Sequence, residues 1–533
     1  MYKNVYLFSC TLVCIVGLAA CHPSEHSEQQ TLDHSGLPPL NINVPADSEY
    51  LPGGDATSFV ANYEAFSRRP QKIAQNFQLD GMFTSGDHLF RTPVKGIGPL
   101  LNTGSCQGCH LNDGRGVVPD SITEPFTSIL VKIGDQSGVS DPNYGDQIQT
   151  FAVDPTKPNQ VQFQLAEKGA GLNGKLVGEA YAAVTYQQIN GQYPDGTPYQ
   201  LRQPVYVYNV LSYGPFMQGI QFSPRVAPQV FGVGLLEAIP SQHIQALADP
   251  DDTDNNGVSG RVSWVKDALS GETALGRFAY KAQTPSVLQQ VAAAFNGDSG
   301  VTSSIFQNEN CTPTQVKCIE TAAKNPKQKT GVDVSDQTLA LIEFYNRTLA
   351  VPANRGFDAK SKTWAPEFIE GRDLFNQAGC ADCHTPRHVT GVAKGSKLGE
   401  AGLNGLTANS KPIEVLSQQV IYPYTDLLLH DMGGECQIQA DNLSLIYKQS
   451  CTGLADGLPQ GNAGPNEWKT APLWGLGLVQ KVNPKATFLH DGRARTIEEA
   501  ILWHGGEGLA SLDKYKHMDK SQRQSLLAFV ASL

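Results

Sequence analysis

Beyond its first twenty residues the chain has no run of eighteen consecutive apolar residues, which excludes a membrane-spanning helix from the remainder. It also lacks a surplus of cations: 40 Lys and Arg stand against 51 Asp and Glu, a formal charge of −11. Nucleic-acid binders concentrate Lys and Arg, so no nucleic-acid partner is expected. Disorder of the whole is excluded too, because 40% of the 533 residues are hydrophobic, enough for two or three domains with cores of their own.

What is present begins at the N-terminus. Lys3 precedes an apolar run from Val5 to Ala20, too short to span a bilayer and built like an export signal. The run ends in Leu18-Ala19-Ala20-Cys21, which resembles the lipobox of bacterial lipoproteins; residues 1–20 would be removed and Cys21 would carry lipid into a membrane. His22 stands where an inner-membrane retention signal places Asp, so the expected location is the periplasmic side of the outer membrane. Residues 21–75, rich in Ser, Pro, Gln and Asp, read as a flexible tether from the lipid to the folded body.

None of the eleven cysteines is left without a role. Cys10 and Cys14 leave with the signal, and Cys21 takes lipid. Four belong to Cys106-Gln107-Gly108-Cys109-His110 and Cys380-Ala381-Asp382-Cys383-His384. The last four fall in close pairs, Cys311 with Cys318 and Cys436 with Cys451. In an exported protein such pairs read as disulfides, each stabilising by about 2–3 kcal/mol in the chain-entropy model.

Cys-x-x-Cys-His suits one chemistry best. Two thiols at that spacing span the two vinyl groups of a haem as thioethers, and the next residue sets an imidazole on the iron. A thioredoxin-like pair or half a zinc site would use similar cysteines. The His after each pair, the duplication and the export signal point instead to two covalently bound haem c groups, with His110 and His384 as proximal ligands. Each motif follows a related segment, Gly86-Asp87-His88-Leu89-Phe90 and Gly371-Arg372-Asp373-Leu374-Phe375. The expected fold is mainly α: two cytochrome c-like haem domains in tandem, 76–355 and 356–533, the first with a mixed α/β elaboration over about 120–300. Within that elaboration 160–165 and 204–210 alternate as strands do, and 285–295 is helical in composition. A helix over 335–349 closes the first domain, and one over 521–533 closes the second.

Four further segments carry a resemblance. They are Ser223-Pro224-Arg225-Val226-Ala227-Pro228, Gly234-Leu235-Leu236-Glu237-Ala238-Ile239-Pro240, Thr425-Asp426-Leu427-Leu428-Leu429-His430-Asp431-Met432-Gly433 and Phe488-Leu489-His490-Asp491-Gly492-Arg493-Ala494-Arg495-Thr496. With the two haem motifs they resemble the di-haem oxidoreductase family of peroxidase type, over most of the chain from about residue 76. The second half is more distantly similar to bacterial di-haem cytochrome c peroxidases and to the enzyme that matures methylamine dehydrogenase. In those peroxidases the distal ligand of the C-terminal haem lies fourteen residues after the His of a Phe-His-x-Gly turn, which from His490 is His504. The resemblance therefore implies bis-His ligation by His384 and His504, with Met432 and Met518 as rivals. It also implies that the first haem is the reactive one, with a carboxyl group as acid or base above it; Glu237 and Asp298 are the candidates. A periplasmic electron donor or acceptor is implied on the same ground, and a homodimer stays open. The competing function is a non-enzymatic electron carrier with both irons six-coordinate.

Asp252-Thr253-Asp254-Asn255-Asn256-Gly257 sets oxygen ligands at Asp252, Asp254 and Asn256 before a turn, as a calcium loop begins. Its twelfth position is Ser263, where an EF-hand has a bidentate Glu, so Ca2+ binding and a plain Asp/Asn-rich turn both stay open. Trp468, Trp474 and Trp503 are expected to pack near the second haem.

Overall fold

The two Gly-x-x-Leu-Phe segments lie in helices, and capping chemistry sets where those helices begin. α1 (Phe77–Arg91) starts after Asn76, whose side-chain oxygen accepts from the Gln78 and Leu79 amides. α2 (Asp336–Arg347) starts after Ser335, which accepts from Thr338 N. α3 (Pro366–Gln377) has Pro in its first turn, where no amide is required. α4 (Lys520–Ser532) opens with a capping box between Asp519 and Gln522. This is a computed structural model, and it describes residues 35–41, 44–93, 96–157, 161–327, 331–398, 411–441 and 443–533. The export signal and Cys21 lie outside the described residues. Among those described, no helix is long and apolar enough to cross a membrane.

The helices pair twice in the same manner. α1 crosses α2 at Gly86, where a Cβ would come within 2.4 Å of the Leu341 carbonyl oxygen. α3 crosses α4 at Gly371, where a Cβ would lie 2.0 Å from the Ser525 carbonyl oxygen. Only glycine lets the backbones approach so closely. Beside each crossing a Phe meets a ring of the facing helix: Phe90 and Tyr345 at 5.4 Å, Phe375 and Phe529 also at 5.4 Å. Each pair borders the turn that carries one motif, Cys106–Cys109 and Cys380–Asp382.

The expectation of a mainly α fold fails: 28% is helical and 20% strand, in many small sheets. Six of the eight sheets among the described residues have only two strands. The largest explains why sequence patterning undercounted strand. β1 (Tyr181–Gln192) and β2 (Pro198–Asn209) form an antiparallel hairpin. Across the other edge of β2 lies a ribbon from the far half of the chain, β3 (Cys436–Asp441) and β4 (Ile446–Cys451), giving the order β3-β4-β2-β1. Tyr206, Tyr208 and Tyr447 of this sheet pack with Phe216 and Phe222 in a core separate from the main one. The Cys436–Cys451 disulfide joins directly opposed residues of β3 and β4, and Cys311–Cys318 closes a short loop elsewhere. Of the segments read as strands, 204–210 falls largely in β2, whereas Gln164 makes only an isolated bridge to Ala152.

Much of the expected tether is folded. Thr57–Ser58 pairs in parallel with Val351–Pro352, and Phe66 stacks on Phe231 at 4.4 Å. Glu49 makes a buried ion pair with Arg372 of α3 at 3.0 Å. The polar composition of this stretch concealed four buried apolar anchors, Ala56, Ala65, Phe66 and Ile73.

Candidate functional site

The two motifs present their histidines alike. His110 Nδ1 donates to the Pro228 carbonyl oxygen at 2.6 Å, and His384 Nδ1 donates to the Tyr424 carbonyl oxygen at 3.0 Å. A carbonyl only accepts, so each Nδ1 carries the proton and each Nε2 is left bare, the form in which imidazole binds metal. Burial keeps both rings neutral, pushing their pKa down to about 4. Phe90 and Phe375 flank them, 6.1 and 6.4 Å between centroids. Cys106, Cys109, Cys380 and Cys383 are free thiols, whereas the other described cysteines form disulfides. Burial raises the pKa of all four, Cys106 and Cys380 to about 12. Two free thiols and one bare imidazole nitrogen per motif fit a haem and its axial ligand.

Near His384 a second imidazole is in place. His504 follows the helix Ile497–Leu502, and its Nδ1 donates to the Ala500 carbonyl oxygen at 2.9 Å, so its Nε2 is bare as well. Burial lowers its pKa, and its proximity disfavours protonation of His384. Met432 shares this corner: a Cβ on Gly508 would meet His504 Cδ2 at 3.2 Å and Met432 Cε at 3.3 Å. Met518 is buried in the main core.

Near His110 the prominent neighbour is a carboxyl group. After burial itself, the charge of Asp298 is the main influence raising the pKa of both Cys106 and Cys109. Asp298 stands near the end of the helix Val287–Ser299, and its carbonyl oxygen accepts from Asn102 N at 2.7 Å and Thr103 N at 3.0 Å, just ahead of the motif. Its Oδ1 accepts from Gln147 Nε2 at 3.0 Å. Burial pushes the Asp298 pKa up to about 6, against Gln147 and Lys132, which favour the charged form. Glu237 is not brought to the motif. Its Oε1 accepts from Val287 N at 2.7 Å and its Oε2 pairs with Arg347 Nε at 2.7 Å, so it caps a helix and neutralises a buried cation.

Asp252, Asp254 and Asn256 each accept from an amide of their own loop. Asp252 Oδ1 accepts from Gly257 N at 3.1 Å, Asp254 Oδ1 from Asn256 N at 3.1 Å and Asn256 Oδ1 from Val258 N at 2.7 Å. The oxygens a cation would need are turned onto the loop's own amides. Among the described residues no group of three His, Cys, Asp or Glu is placed to hold a metal ion.

Several residues escaped the sequence reading. Pro228 and Tyr424 act through main-chain carbonyls, which side-chain motifs do not record. Tyr280 donates to the Val226 carbonyl at 2.8 Å, and its ring lies 6.3 Å from that of Trp468, which stacks on His490 at 3.9 Å. Arg115, five residues past His110, donates to the Thr487 and Leu489 carbonyls, and Val226 N donates to the His490 carbonyl at 2.8 Å. The segment 488–496 thus braces the first motif with its start, and the helix after it delivers His504 to the second.

The family model described as "Di-haem oxidoreductase, putative peroxidase" matches residues 61–533. No curated protein matches the sequence. A solved structure of Kuenenia stuttgartiensis hydrazine synthase, pressurised with 20 bar xenon, is similar at 13% identity and a TM-score of 0.31, over 96% of this chain and 100% of that one. A score that low does not assign the fold.

Proposed function

Because the chain belongs to the di-haem oxidoreductase family, we propose that it is an exported enzyme with two covalently bound c-type haems of unequal role. Cys380, Cys383 and His384 would hold one haem, with His504 as a further ligand, and that site would serve electron transfer. Cys106, Cys109 and His110 would hold the other, the site of substrate chemistry, with Asp298 beside the cysteines as an acid–base group. The supporting observation is that a second bare, buried imidazole nitrogen accompanies His384.

A haem with an open position supplies reduction of a peroxide or oxidation of a substrate. Asp298 holds its proton up to about pH 6, so near neutrality it can both keep and release one, which suits an acid–base group. The same proposal assigns the protein to the periplasmic face of the outer membrane, anchored through Cys21 and exchanging electrons with a periplasmic partner. The apolar leader and the cysteine usage support that assignment. Ferric EPR of the holoprotein tests the reading. One low-spin signal and one high-spin or ligand-exchangeable signal are expected; two inert low-spin signals would sink it in favour of a plain electron carrier.

A further inference from the structure

Beside the second motif stands a group of charges that the reading above leaves unused. His430 is 2% exposed and has a carboxylate at each ring nitrogen: Nε2 lies 2.8 Å from Asp426 Oδ2, and Nδ1 lies 2.7 Å from Glu507 Oε2. Carboxylate oxygens accept, so both nitrogens donate and the ring is an imidazolium. Burial opposes that charge, yet Asp426 and Glu507 hold the His430 pKa well above the ordinary histidine value. Nδ1 is also 3.6 Å from Cys383 Sγ. With neither nitrogen bare, His430 is not a ligand of the iron.

Several chain segments hold this clamp rigid. Asp426 N donates to the Cys383 carbonyl at 3.1 Å, and Asp426 Oδ1 accepts from Leu428 N at 2.9 Å. Glu507 accepts from Ser259 N and Ser259 Oγ, each at 3.0 Å, and from Asp431 N at 2.9 Å. The ring is pressed against Gly260, where a Cβ would come within 2.4 Å of His430 Cε1. Buried charge groups of this kind are poor sources of stability, because desolvation offsets their attraction. Their value lies in keeping one charge at one place.

We propose that His430 is a positioning residue that sets the reduction potential of the second haem, its fixed positive charge beside Cys383 favouring the reduced iron. Reduction adds one electron from the redox partner, with no bond made or broken, and removes one positive charge from the iron. A cation held nearby therefore favours the reduced form and an anion the oxidised form. With two carboxylates to one imidazolium the group as a whole carries a charge of −1, so His430 acts by offsetting the pull of Asp426 and Glu507 toward the oxidised iron. The inference rests on Cys383 and His384 anchoring that haem.

The test uses the full-length holoprotein with the variants H430Q and E507Q. Pyridine haemochrome first counts the attached haem; fewer than two per chain in the unaltered protein would overturn the di-haem reading, and this proposal with it. Spectroelectrochemical titration then compares midpoint potentials. H430Q is expected to lower the potential of the low-spin haem and E507Q to raise it, with the ligation signals in EPR unchanged. A packing defect or entry of water would move both variants the same way, so shifts of one sign, or no shift, would overturn the proposal. If H430Q fails to keep both haems, H430N takes its place: a lowered potential supports the proposal, and an unchanged or raised one defeats it.

Discussion

Around His110 and around His384 the same parts recur: a helix pair crossing at a glycine, a phenylalanine against the proximal ring, and a main-chain carbonyl on Nδ1. The surroundings of those parts do not recur. The second motif faces His504 and the clamped His430, whereas the first has Asp298 with Gln147 behind it. The shared parts use backbone and packing, which fix a proximal imidazole without constraining what lies opposite. Two sites built on one frame are thus free to acquire different chemistry.

The sharpest way to separate the halves is to remove their thiols. The double variants C106S/C109S and C380S/C383S should each halve the covalently bound haem, counted as pyridine haemochrome. Full retention in either would break the comparison at its base. Next in size is ligation: H504A should convert the low-spin ferric EPR signal to high-spin, while D298N leaves both spin states as they are. A low-spin signal indifferent to H504A would assign the sixth ligand elsewhere, with Met432 the first to try.

Gly86→Ala and Gly371→Ala should each cost about 3 kcal/mol, because the new methyl group meets carbonyl oxygens of the facing helix and not a side chain that can turn away. Denaturant unfolding would measure this, and unchanged midpoints would show that neither crossing is tight. The last effect, spread over several pH units, concerns Asp298. The folded Asp298 keeps its proton to about pH 6, above the ordinary value of 3.8. The folded state therefore binds more protons than the unfolded one in that window, and stability falls as pH rises through it. D298N removes this term, so its stability relative to the unaltered protein should improve by about 3 kcal/mol between pH 3 and pH 8. A gap that stays constant with pH would place the titration on another group.

The parts legible in the sequence are those whose chemistry sits on neighbouring residues: the two Cys-x-x-Cys-His motifs and the Gly-x-x-Leu-Phe helices ahead of them. The sheet was illegible because Val205 pairs with Ser450, and periodicity tells a strand's face but not its partner. That is why a chain with 20% strand read as mainly α. Glu237 and Asp298 stood as equal candidates in the sequence. Only the fold reveals that Arg347 and the Val287 amide claim the first. The His430 clamp was half legible, since Asp426 lies four residues before His430, but Glu507 comes from 77 residues further on.

The sheet shared by the two halves has a consequence for synthesis. Until the β3–β4 ribbon arrives, the stretch Val205–Tyr208 of β2, two of whose four residues are tyrosine, has unpaired main-chain groups along its outer edge. Such an edge is a template for pairing with another chain. A product that stalls before residue 436 would leave that stretch open, so the C-terminal half guards the N-terminal half against pairing with a neighbouring copy.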